Sequence, residues 1–445
     1  MLTVSRYLTI SETDFTSAQG VALRPAYLAT TGRLYMIDKD TAEALNDESG
    51  FERKIRPDVL EDLIDAGAVI PDSVDELEVI LEENRRAIAE NRTRTFVIMP
   101  TSYCNLGCSY CGQAHTKATL RGSHRSGLVR RIIGEIESGC YDGIALNWFG
   151  GEPLMGYANI RDIARQIVPL AGDRGLSYWS QMVTNGVLLD ARQLDTLYHD
   201  CRVSFFEITL DGTSHDLLRP KKAGGESLDH IVNFLSWAVR QPQYEDLRIS
   251  IRTNVSPANR GEAAEFARTM AERGLGHDKV SFYAAPIHSW GNDISALELG
   301  KTAYGNVELE WLQAYRDAGL NCPSLVPTQR KKIVCIAMQT SAEVITSSGE
   351  VFSCTEQPLV PGYENTAVGN VSSLRIGRRP AGLYETWNDE ISSGNYSCAT
   401  CAILPVCGGS CPKAWAEGNP PCPATKFNLS SKLDMYASTH GFERP

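Results

Sequence analysis

The most informative part of this 445-residue sequence is the segment 104–111, which reads Cys-Asn-Leu-Gly-Cys-Ser-Tyr-Cys. It places Cys104, Cys108 and Cys111 at the spacing C-x3-C-x2-C. At the cysteine frequency of this chain, that spacing would arise by chance only about 0.01 times. Three thiolates in one loop can hold a four-iron cluster through three of its irons, which leaves the fourth iron open. The segment therefore predicts a metal centre with a free coordination site.

Cysteines are also concentrated towards the C-terminus. The chain has 13 cysteines, and seven of them lie between Cys335 and Cys422. An odd number of cysteines, in a chain whose start lacks the pattern of an export signal, favours reduced thiols in the cytoplasm over a secreted disulfide scaffold. Of the isolated cysteines, Cys140 and Cys201 are expected to be small core residues.

The composition narrows the function classes further. Hydrophobic residues make up 42% and charged residues 22% of the chain, as in ordinary globular proteins. The net charge of −11 argues against a nucleic-acid partner. The longest apolar runs fall short of the roughly 20 residues of a membrane span, so no membrane association is expected.

Apolar runs alternate with helix-like segments through the middle of the chain. The predicted strands cover residues 95–99, 144–149, 179–184, 205–210, 248–254 and 280–285. This alternation predicts an α/β fold, in which parallel βα units form a partial (β/α)6 barrel of the TIM type. Reactive groups of such barrels lie at the C-terminal ends of the strands. The cysteine segment and the turns at 150–153, 184–186 and 211–212 follow successive strands, so we expect them at one rim.

The regions on either side of this barrel have different patterns. Residues 1–92 show short strand-like stretches followed by helix-like segments, which suits a winged-helix-like α+β module. Residues 93–300 form the predicted barrel domain. Residues 301–445 begin with a helical segment and continue with little periodicity, so metal clusters are expected to stabilise them.

The first cysteine group and the strand-end turns resemble the radical S-adenosylmethionine (radical SAM) superfamily. In that family, the open iron binds the methionine part of S-adenosylmethionine (SAM), and reductive cleavage yields a 5′-deoxyadenosyl radical. Residues 150–153 match the family's GGEP motif, whose glycines let the backbone approach the ligand closely. Thr209 stands where the family usually has serine. The resemblance implies SAM contacts from Tyr110, Gly150, Gly151, Glu152, Pro153, Asn185, Thr209 and Arg219.

The C-terminal cysteines resemble the seven-cysteine SPASM extension, which binds two auxiliary [4Fe–4S] clusters. The chain would thus hold three clusters together with SAM. The resemblance assigns Cys335, Cys354 and Cys411 to the first auxiliary cluster. It assigns Cys398, Cys401, Cys407 and Cys422 to the second. A further cysteine of some relatives is replaced here by Ser341, so either the first auxiliary cluster has an open iron or Cys322 completes it.

The combination of these parts resembles radical SAM maturases of ribosomally made peptides. The resemblance implies a precursor peptide whose leader is gripped by the N-terminal module, and a flavodoxin or ferredoxin as reductant. The enzyme would abstract hydrogen from the peptide and form an oxidised or cross-linked residue, through a C–C or thioether bond.

Three alternatives remain open from the sequence. The first is a radical SAM dehydrogenase that forms formylglycine or oxidises a small alcohol. The second is a non-enzymatic zinc or iron–sulfur scaffold, because C-x2-C pairs also build zinc sites. The third concerns the N-terminal module alone, which could be a degenerate domain that only packs against the barrel.

Overall fold

The computed structural model describes residues 1–47, 50–289 and 292–444. The chain forms two compact units, each assembled from separated parts of the sequence. The first unit contains residues 1–90, 324–338 and 386–445, and the second contains 91–323 and 339–385. The predicted functional boundaries after residues 92 and 300 stay a prediction.

The N-terminal part of the first unit combines short antiparallel strands with helices. The strands are β1 (Leu2–Val4), β2 (Leu8–Ile10), β3 (Phe15–Thr16), β4 (Ala22–Leu28), β5 (Arg33–Asp38) and β6 (Val69–Pro71). The helices are α1 (Lys39–Asn46), α2 (Phe51–Lys54), α3 (Pro57–Asp65) and α4 (Glu76–Ala89). Strand β4 pairs with β2, β3 and β5, and β1 pairs with β6. Asp38 and Asp75 begin α1 and α4 by accepting hydrogen bonds from backbone N–H groups of the first turn.

The second unit is built on alternating strands and helices. Its parallel core comprises β7 (Thr93–Ile98), α5 (Gly122–Glu137), β8 (Gly143–Trp148), α6 (Tyr157–Asp173), β9 (Ser177–Thr184), α7 (Ala191–His199), β10 (Val203–Thr209), α8 (His215–Leu218), α9 (Leu228–Ala238), β11 (Arg248–Val255), α10 (Ala263–Glu272) and β12 (Val280–Pro286). Helix α11 (Lys301–Asp317) and strands β13 (Ala342–Ile345), β14 (Glu350–Phe352) and β15 (Gly369–Asn370) follow.

The strands of the second unit lie in the order β12-β11-β10-β9-β8-β7-β13-β14-β15. Strands β7 to β12 are parallel neighbours, in the order in which they occur along the chain. Strand β13 continues the sheet beyond β7 in parallel, and β14 and β15 are antiparallel additions. The predicted α/β fold with a run of parallel βα units is confirmed, and no pairing closes β12 onto β7 in the described part of the sheet.

The two faces of this sheet have different roles. Ile208, Ile251 and Phe282 are paired across β10, β11 and β12, and all are fully buried. The ring of Phe282 lies 5.5 Å from that of Tyr315 on α11, so this face packs against helices. Side chains alternate along each strand. The intervening polar residues, Thr209 among them, therefore lie on the opposite, inner face.

The C-terminal part of the first unit adds four helices. They are α12 (Trp387–Ser392), α13 (Leu404–Cys407), α14 (Pro412–Ala416) and α15 (Thr425–Thr439). Trp387, Leu404 and Leu433 share one hydrophobic core with Tyr27 and Leu81. The cysteine-rich tail therefore packs into the hydrophobic core of the first unit, in addition to carrying its cysteines.

The isolated cysteines differ in environment. Cys201 is 1% exposed, as expected for a core residue. The same expectation for Cys140 is wrong, because this residue lies exposed in the turn between α5 and β8. Cys322 is half-buried and interacts with Arg316 near the end of α11. None of the helices formed by the described residues has the length and apolarity needed to cross a lipid bilayer.

A buried group of charges fixes β13 beside β7. Glu343 lies 2.8 Å from Arg94 and 2.7 Å from Arg131, and the side chains of all three residues are at most 2% exposed. Arg94 also donates to the backbone oxygen of Ser341, at 2.8 Å. Burial opposes ionisation of Glu343, but the two guanidinium groups hold the pKa of its carboxyl below the usual range. Both arginines therefore share this carboxylate, and Arg94 also lies 3.5 Å from the buried Glu135.

We expect Glu343→Ala to lower the free energy of unfolding by about 3–5 kcal/mol, because it leaves two guanidinium groups buried without their shared partner. Urea unfolding followed by circular dichroism measures the change. The matched control is Asp142→Asn, which removes a salt bridge to Arg92 whose side chains are 55% and 72% exposed. A shift in the midpoint of unfolding no larger than that of the control would contradict the prediction.

Candidate functional site

The three cysteines of the first motif lie in the loop that follows β7. A second segment, after α8, holds this loop in place. Gly107 N–H donates to the backbone oxygen of Pro220 at 2.8 Å, and Ser109 N–H donates to that of Leu218 at 3.0 Å. Arg219 is thereby carried alongside the cysteine loop.

The thiols of this loop are close enough to influence one another. Burial, reinforced by Glu152 and Cys108, raises the pKa of the Cys104 thiol to about 11. Burial also raises the pKa of Cys108, and Cys111 adds to that rise. Nowhere in the described residues do three His, Cys, Asp or Glu side chains converge on a single ion position. A four-iron cluster does not require such convergence, because each thiolate binds a different iron.

The Gly-Gly-Glu-Pro turn after β8 packs tightly against the start of the cysteine loop. Gly150 has a φ of +119°, which disfavours any side chain. A Cβ atom on Gly151 would lie 2.5 Å from the backbone oxygen of Tyr103. Glu152 N–H also donates to that oxygen at 2.8 Å. Pro153 then begins a 3₁₀ turn, Pro153–Gly156. The glycines thus let the turn contact the residue that precedes Cys104.

Glu152 is fully buried and joins the ends of two strands. Its Oε1 accepts hydrogen bonds from Leu154 N–H at 3.0 Å and Thr184 Oγ1 at 2.7 Å, and its Oε2 accepts from Asn185 N–H at 2.8 Å. Burial raises the pKa of the Glu152 carboxyl, and these three donors oppose the rise. Oε2 has capacity for a further donor, such as an ammonium group.

Asn185 connects this turn to the cysteine loop. Its Nδ2 donates to Asn105 Oδ1 at 2.8 Å and lies 3.8 Å from Cys104 Sγ. Glu152 and Asn185, which the sequence placed after different strands, are therefore brought together beside Cys104.

Tyr110 and Arg219 meet in a buried polar network. Arg219 Nη1 donates to the Tyr110 hydroxyl at 2.6 Å, and that hydroxyl donates to Asp211 Oδ2. Asn254 contributes its Nδ2 to the same hydroxyl at 3.0 Å and its N–H to Asp211 Oδ1 at 2.9 Å. Burial raises the pKa of Asp211, whereas Arg219 at 3.8 Å opposes that rise.

One donor of this network is unused. Arg219 Nε is buried and has no hydrogen-bond partner among the described residues. A buried guanidinium N–H without a partner is costly, and an anionic group such as a carboxylate would satisfy it.

The structure adds residues to which the sequence analysis assigned no role in the site. Thr184 and Asn105 complete the contacts of Glu152 and Asn185, and Asn254 completes the Tyr110 network. Asp211 belongs to the quoted Asp-Gly turn, so its position at a strand end was a usable signal. No sequence signal marked Asn254, because its role depends on the pairing of β10 with β11. Thr209 lies at the end of β10 on the inner face and is 8% exposed.

The C-terminal cysteines fall into both units. Cys398 and Cys407 lie near Cys401 and Cys422, and burial together with these thiols raises the pKa of Cys398 to about 12 and of Cys407 to about 11. Cys335 lies near Cys411, and burial is the main reason that its pKa rises to about 11. These six cysteines belong to the first unit, and Cys354 belongs to the second.

The sequence of residues 98–242 matches the family model for the radical SAM superfamily. This part of the chain is a radical SAM domain. The match covers the cysteine loop, the Gly-Gly-Glu-Pro turn and the segment that carries Arg219. A radical SAM domain implies SAM and one [4Fe–4S] cluster, and the protein is therefore an enzyme. The bound cluster and SAM together supply a one-electron cleavage that generates a carbon radical.

Solved structures share the fold beyond this domain. The chain is similar to native anSMEcpe with bound AdoMet and Cp18Cys peptide, with a TM-score of 0.55 and 16% identity over 78% of this chain and 97% of that one. It also resembles Streptococcus suis SuiB bound to the precursor peptide SuiA, with a TM-score of 0.48 and 15% identity over 95% and 99% of the two chains. No curated protein sequence matches the chain.

We expect Gly151→Ala to reduce the iron content of the radical SAM domain, because the added methyl group would displace Tyr103 and the adjoining Cys104. Iron and sulfide analysis after anaerobic reconstitution, with the tail cysteines intact, measures the loss. The matched control is Gly172→Ala on α6, where an added Cβ has no neighbour within 4 Å. Because alanine favours a helix over glycine, this control should keep its iron and its thermal stability. Equal iron content in both variants would refute the prediction.

Proposed function

We propose that this radical SAM enzyme modifies a ribosomally made precursor peptide. It would abstract a hydrogen atom from the peptide and form an oxidised residue or a C–C or thioether cross-link. The observation that carries this proposal is the groove beside the edge strand β5 in the first unit, because a small substrate needs no second recognition surface. The fold shared with anSMEcpe, whose structure contains a peptide, is in keeping with it.

Different residues of the radical SAM domain would bind different parts of SAM. Oε2 of Glu152, which accepts one hydrogen bond, would receive the methionine ammonium, and the unused Nε of Arg219 would bind its carboxylate. Gly150, Gly151 and Pro153 shape the turn that the ligand would contact, and Asn185, Thr209 and Tyr110 would contact the rest of the ligand.

The tail would hold two auxiliary [4Fe–4S] clusters. Cys398, Cys401, Cys407 and Cys422 form a complete four-thiol set, which suits a closed cluster. Cys335, Cys354 and Cys411 would hold the other, with its fourth position either open or occupied by Cys322. With the cluster of the radical SAM domain, the protein would carry about twelve irons. A flavodoxin or ferredoxin would deliver the electrons.

A groove of about 320 Å³ runs between β5 and α3. Its lining is mainly apolar and includes Tyr35, Ile37, Val59 and Leu63. Within the described part of the first unit, β5 pairs only with β4, so its other edge forms no strand pairing. Recognition through strand addition, with side chains in an adjacent groove, is a common mode of peptide binding.

The pairing of β4 with β5 shows which backbone groups face the free edge. Met36 pairs with Pro25, which has no N–H, and the oxygen of Pro25 accepts instead from Ser11 N–H at 2.9 Å. The two residues therefore form a non-hydrogen-bonded pair, and the N–H and C=O groups of Met36 point away from β4. Met36 offers these groups to an incoming leader peptide.

We expect anaerobic incubation with SAM, dithionite and a cognate precursor peptide to yield 5′-deoxyadenosine and a peptide that has lost two hydrogen atoms. Changing Cys104, Cys108 or Cys111 to Ala should abolish both products, whereas Cys140→Ala, at an exposed position, should abolish neither. Mass spectrometry measures both products. Failure of the reconstituted enzyme to form 5′-deoxyadenosine would contradict the assignment as a radical SAM enzyme. Oxidation of a peptide Ser or Cys to formylglycine would instead favour the dehydrogenase alternative.

We expect Met36→Pro to weaken leader binding about tenfold, because it removes one outward N–H donor that is worth about 1.4 kcal/mol. The β4–β5 ladder should remain, since that donor takes no part in it. Fluorescence anisotropy with a labelled leader peptide measures the affinity. The control Met36→Ala keeps the N–H and should bind within about twofold of the wild type. Equal affinity of the two variants would count against strand addition.

A further inference from the structure

Three polar side chains form a contiguous group on the inner face of the sheet. They are Glu207 on β10, Arg252 on β11 and Tyr283 on β12, and we call them the Glu207 cluster. Tyr283 OH donates to Glu207 Oε2 at 2.8 Å, and Arg252 Nη1 lies 4.0 Å from Glu207 Oε1. Arg252 pairs in register with Thr209 on one side and with Tyr283 on the other. The cluster therefore shares its face with a proposed SAM contact.

The Glu207 cluster is linked to the cysteine loop by hydrogen bonds. Arg252 Nε donates to Asn254 Oδ1 at 2.8 Å, and Asn254 Nδ2 donates to the Tyr110 hydroxyl at 3.0 Å. Tyr110 directly precedes Cys111. Two side-chain contacts thus connect Arg252 to the loop that defines the radical SAM domain.

Glu207 is accessible in a way that the neighbouring Asp211 is not. The side chains of Glu207 and Arg252 are 25% and 29% exposed, whereas that of Asp211 is 0% exposed. Both Asp211 oxygens accept short hydrogen bonds, from Tyr110 and Asn254. Among the described residues, Glu207 Oε1 has the 4.0 Å contact with Arg252 and no hydrogen bond. The side chain of Glu207 is therefore partly exposed and has one oxygen available to accept a proton.

The environment keeps Tyr283 in its donor form. Burial and the adjacent Glu207 raise the pKa of the Tyr283 phenol, although Arg252 opposes the rise. A phenol that stays protonated donates to Glu207 Oε2 and orients the carboxylate, which leaves Oε1 without a hydrogen bond among the described residues. The Tyr283 hydroxyl therefore fixes the orientation of a carboxylate that can accept a proton.

We propose that Glu207 accepts the proton that leaves the peptide substrate after hydrogen abstraction, with Tyr283 and Arg252 as its positioning residues. The proposal rests on the proposed function. Oxidation and cross-linking each remove two hydrogens from the peptide. The 5′-deoxyadenosyl radical takes the first as an atom and becomes 5′-deoxyadenosine. The second leaves as a proton, which passes to Glu207, and an electron, which passes to an oxidised iron–sulfur cluster. The new bond forms as the C–H, S–H or O–H bond breaks.

The test compares Glu207→Gln with wild-type holoenzyme, using SAM, dithionite and the precursor peptide. We expect 5′-deoxyadenosine to form within about twofold of the wild-type rate and modified peptide to fall about 100-fold or more, which is the usual contribution of a positioned base. In D₂O, the peptide radical that is not converted to product should be reduced by one electron from dithionite and take up a deuteron, which yields unmodified peptide that carries deuterium. Glu207→Asp, which retains a carboxylate, should recover part of the product.

Two further measurements separate this role from a structural one. The dissociation constant of the labelled peptide should be the same for Glu207→Gln and wild type, and so should the melting temperature. The matched control is Glu245→Gln, at an exposed position before β11, which should retain the wild-type ratio of product to 5′-deoxyadenosine.

Two outcomes would overturn the proposal while leaving the proposed function intact. One is a wild-type ratio of product to 5′-deoxyadenosine in Glu207→Gln. The other is an equal loss of both, because Glu207 would then support SAM cleavage or peptide binding. A wild-type enzyme that produces 5′-deoxyadenosine but no modified peptide would instead overturn the proposed function, and this proposal with it.

Discussion

The arrangement of the site depends on how one buried carboxylate is satisfied. Glu152 has no contact with solvent and accepts hydrogen bonds from groups at the ends of β8 and β9. Because an unpaired charge at that depth would be very costly, the two strand ends are held at a fixed separation. Asn185 passes this constraint to the cysteine loop, since its amide contacts both Asn105 and Cys104. The loop, the turn and the strand ends therefore behave as one assembly.

Charged side chains on the inner face of the sheet are also accompanied by partners of opposite charge. Asp211 is placed beside Arg219, and Glu207 beside Arg252, so that opposite charges accompany one another in the interior. The two pairs differ in what they can do. The carboxylate of the first pair accepts internal hydrogen bonds at both oxygens and holds Tyr110 in place, whereas Oε1 of Glu207 in the second pair has no hydrogen bond among the described residues. One pair of opposite charges therefore stabilises the site, whereas the neighbouring pair has a carboxylate oxygen available for the proposed proton transfer.

Features of the site that are specified by neighbouring residues could be predicted from the sequence. Contacts that depend on the pairing of distant strands could not. The Gly-Gly-Glu-Pro turn and the cysteine loop are local patterns, so their chemistry and their position after a strand were predictable. The pairing of Glu207 with Tyr283 was not, because it requires the register of β11 between them. The same holds for Asn254. Cys140 misled for a different reason: cysteine is a frequent core residue, but this one lies exposed in the turn before β8.

The shared core of the first unit has a consequence for biosynthesis. Tyr27 and Leu81 pack in one hydrophobic cluster with Trp387 and Leu433, which are encoded close to the end of the chain. Contacts of such large sequence separation form late. The N-terminal segment is made first, yet its apolar surface stays uncovered until the segment with Trp387 and Leu433 has been translated. Because Cys398, Cys401, Cys407, Cys411 and Cys422 lie in that same late segment, the tail cysteines and the side chains that close this core appear together, after the N-terminal strands and helices.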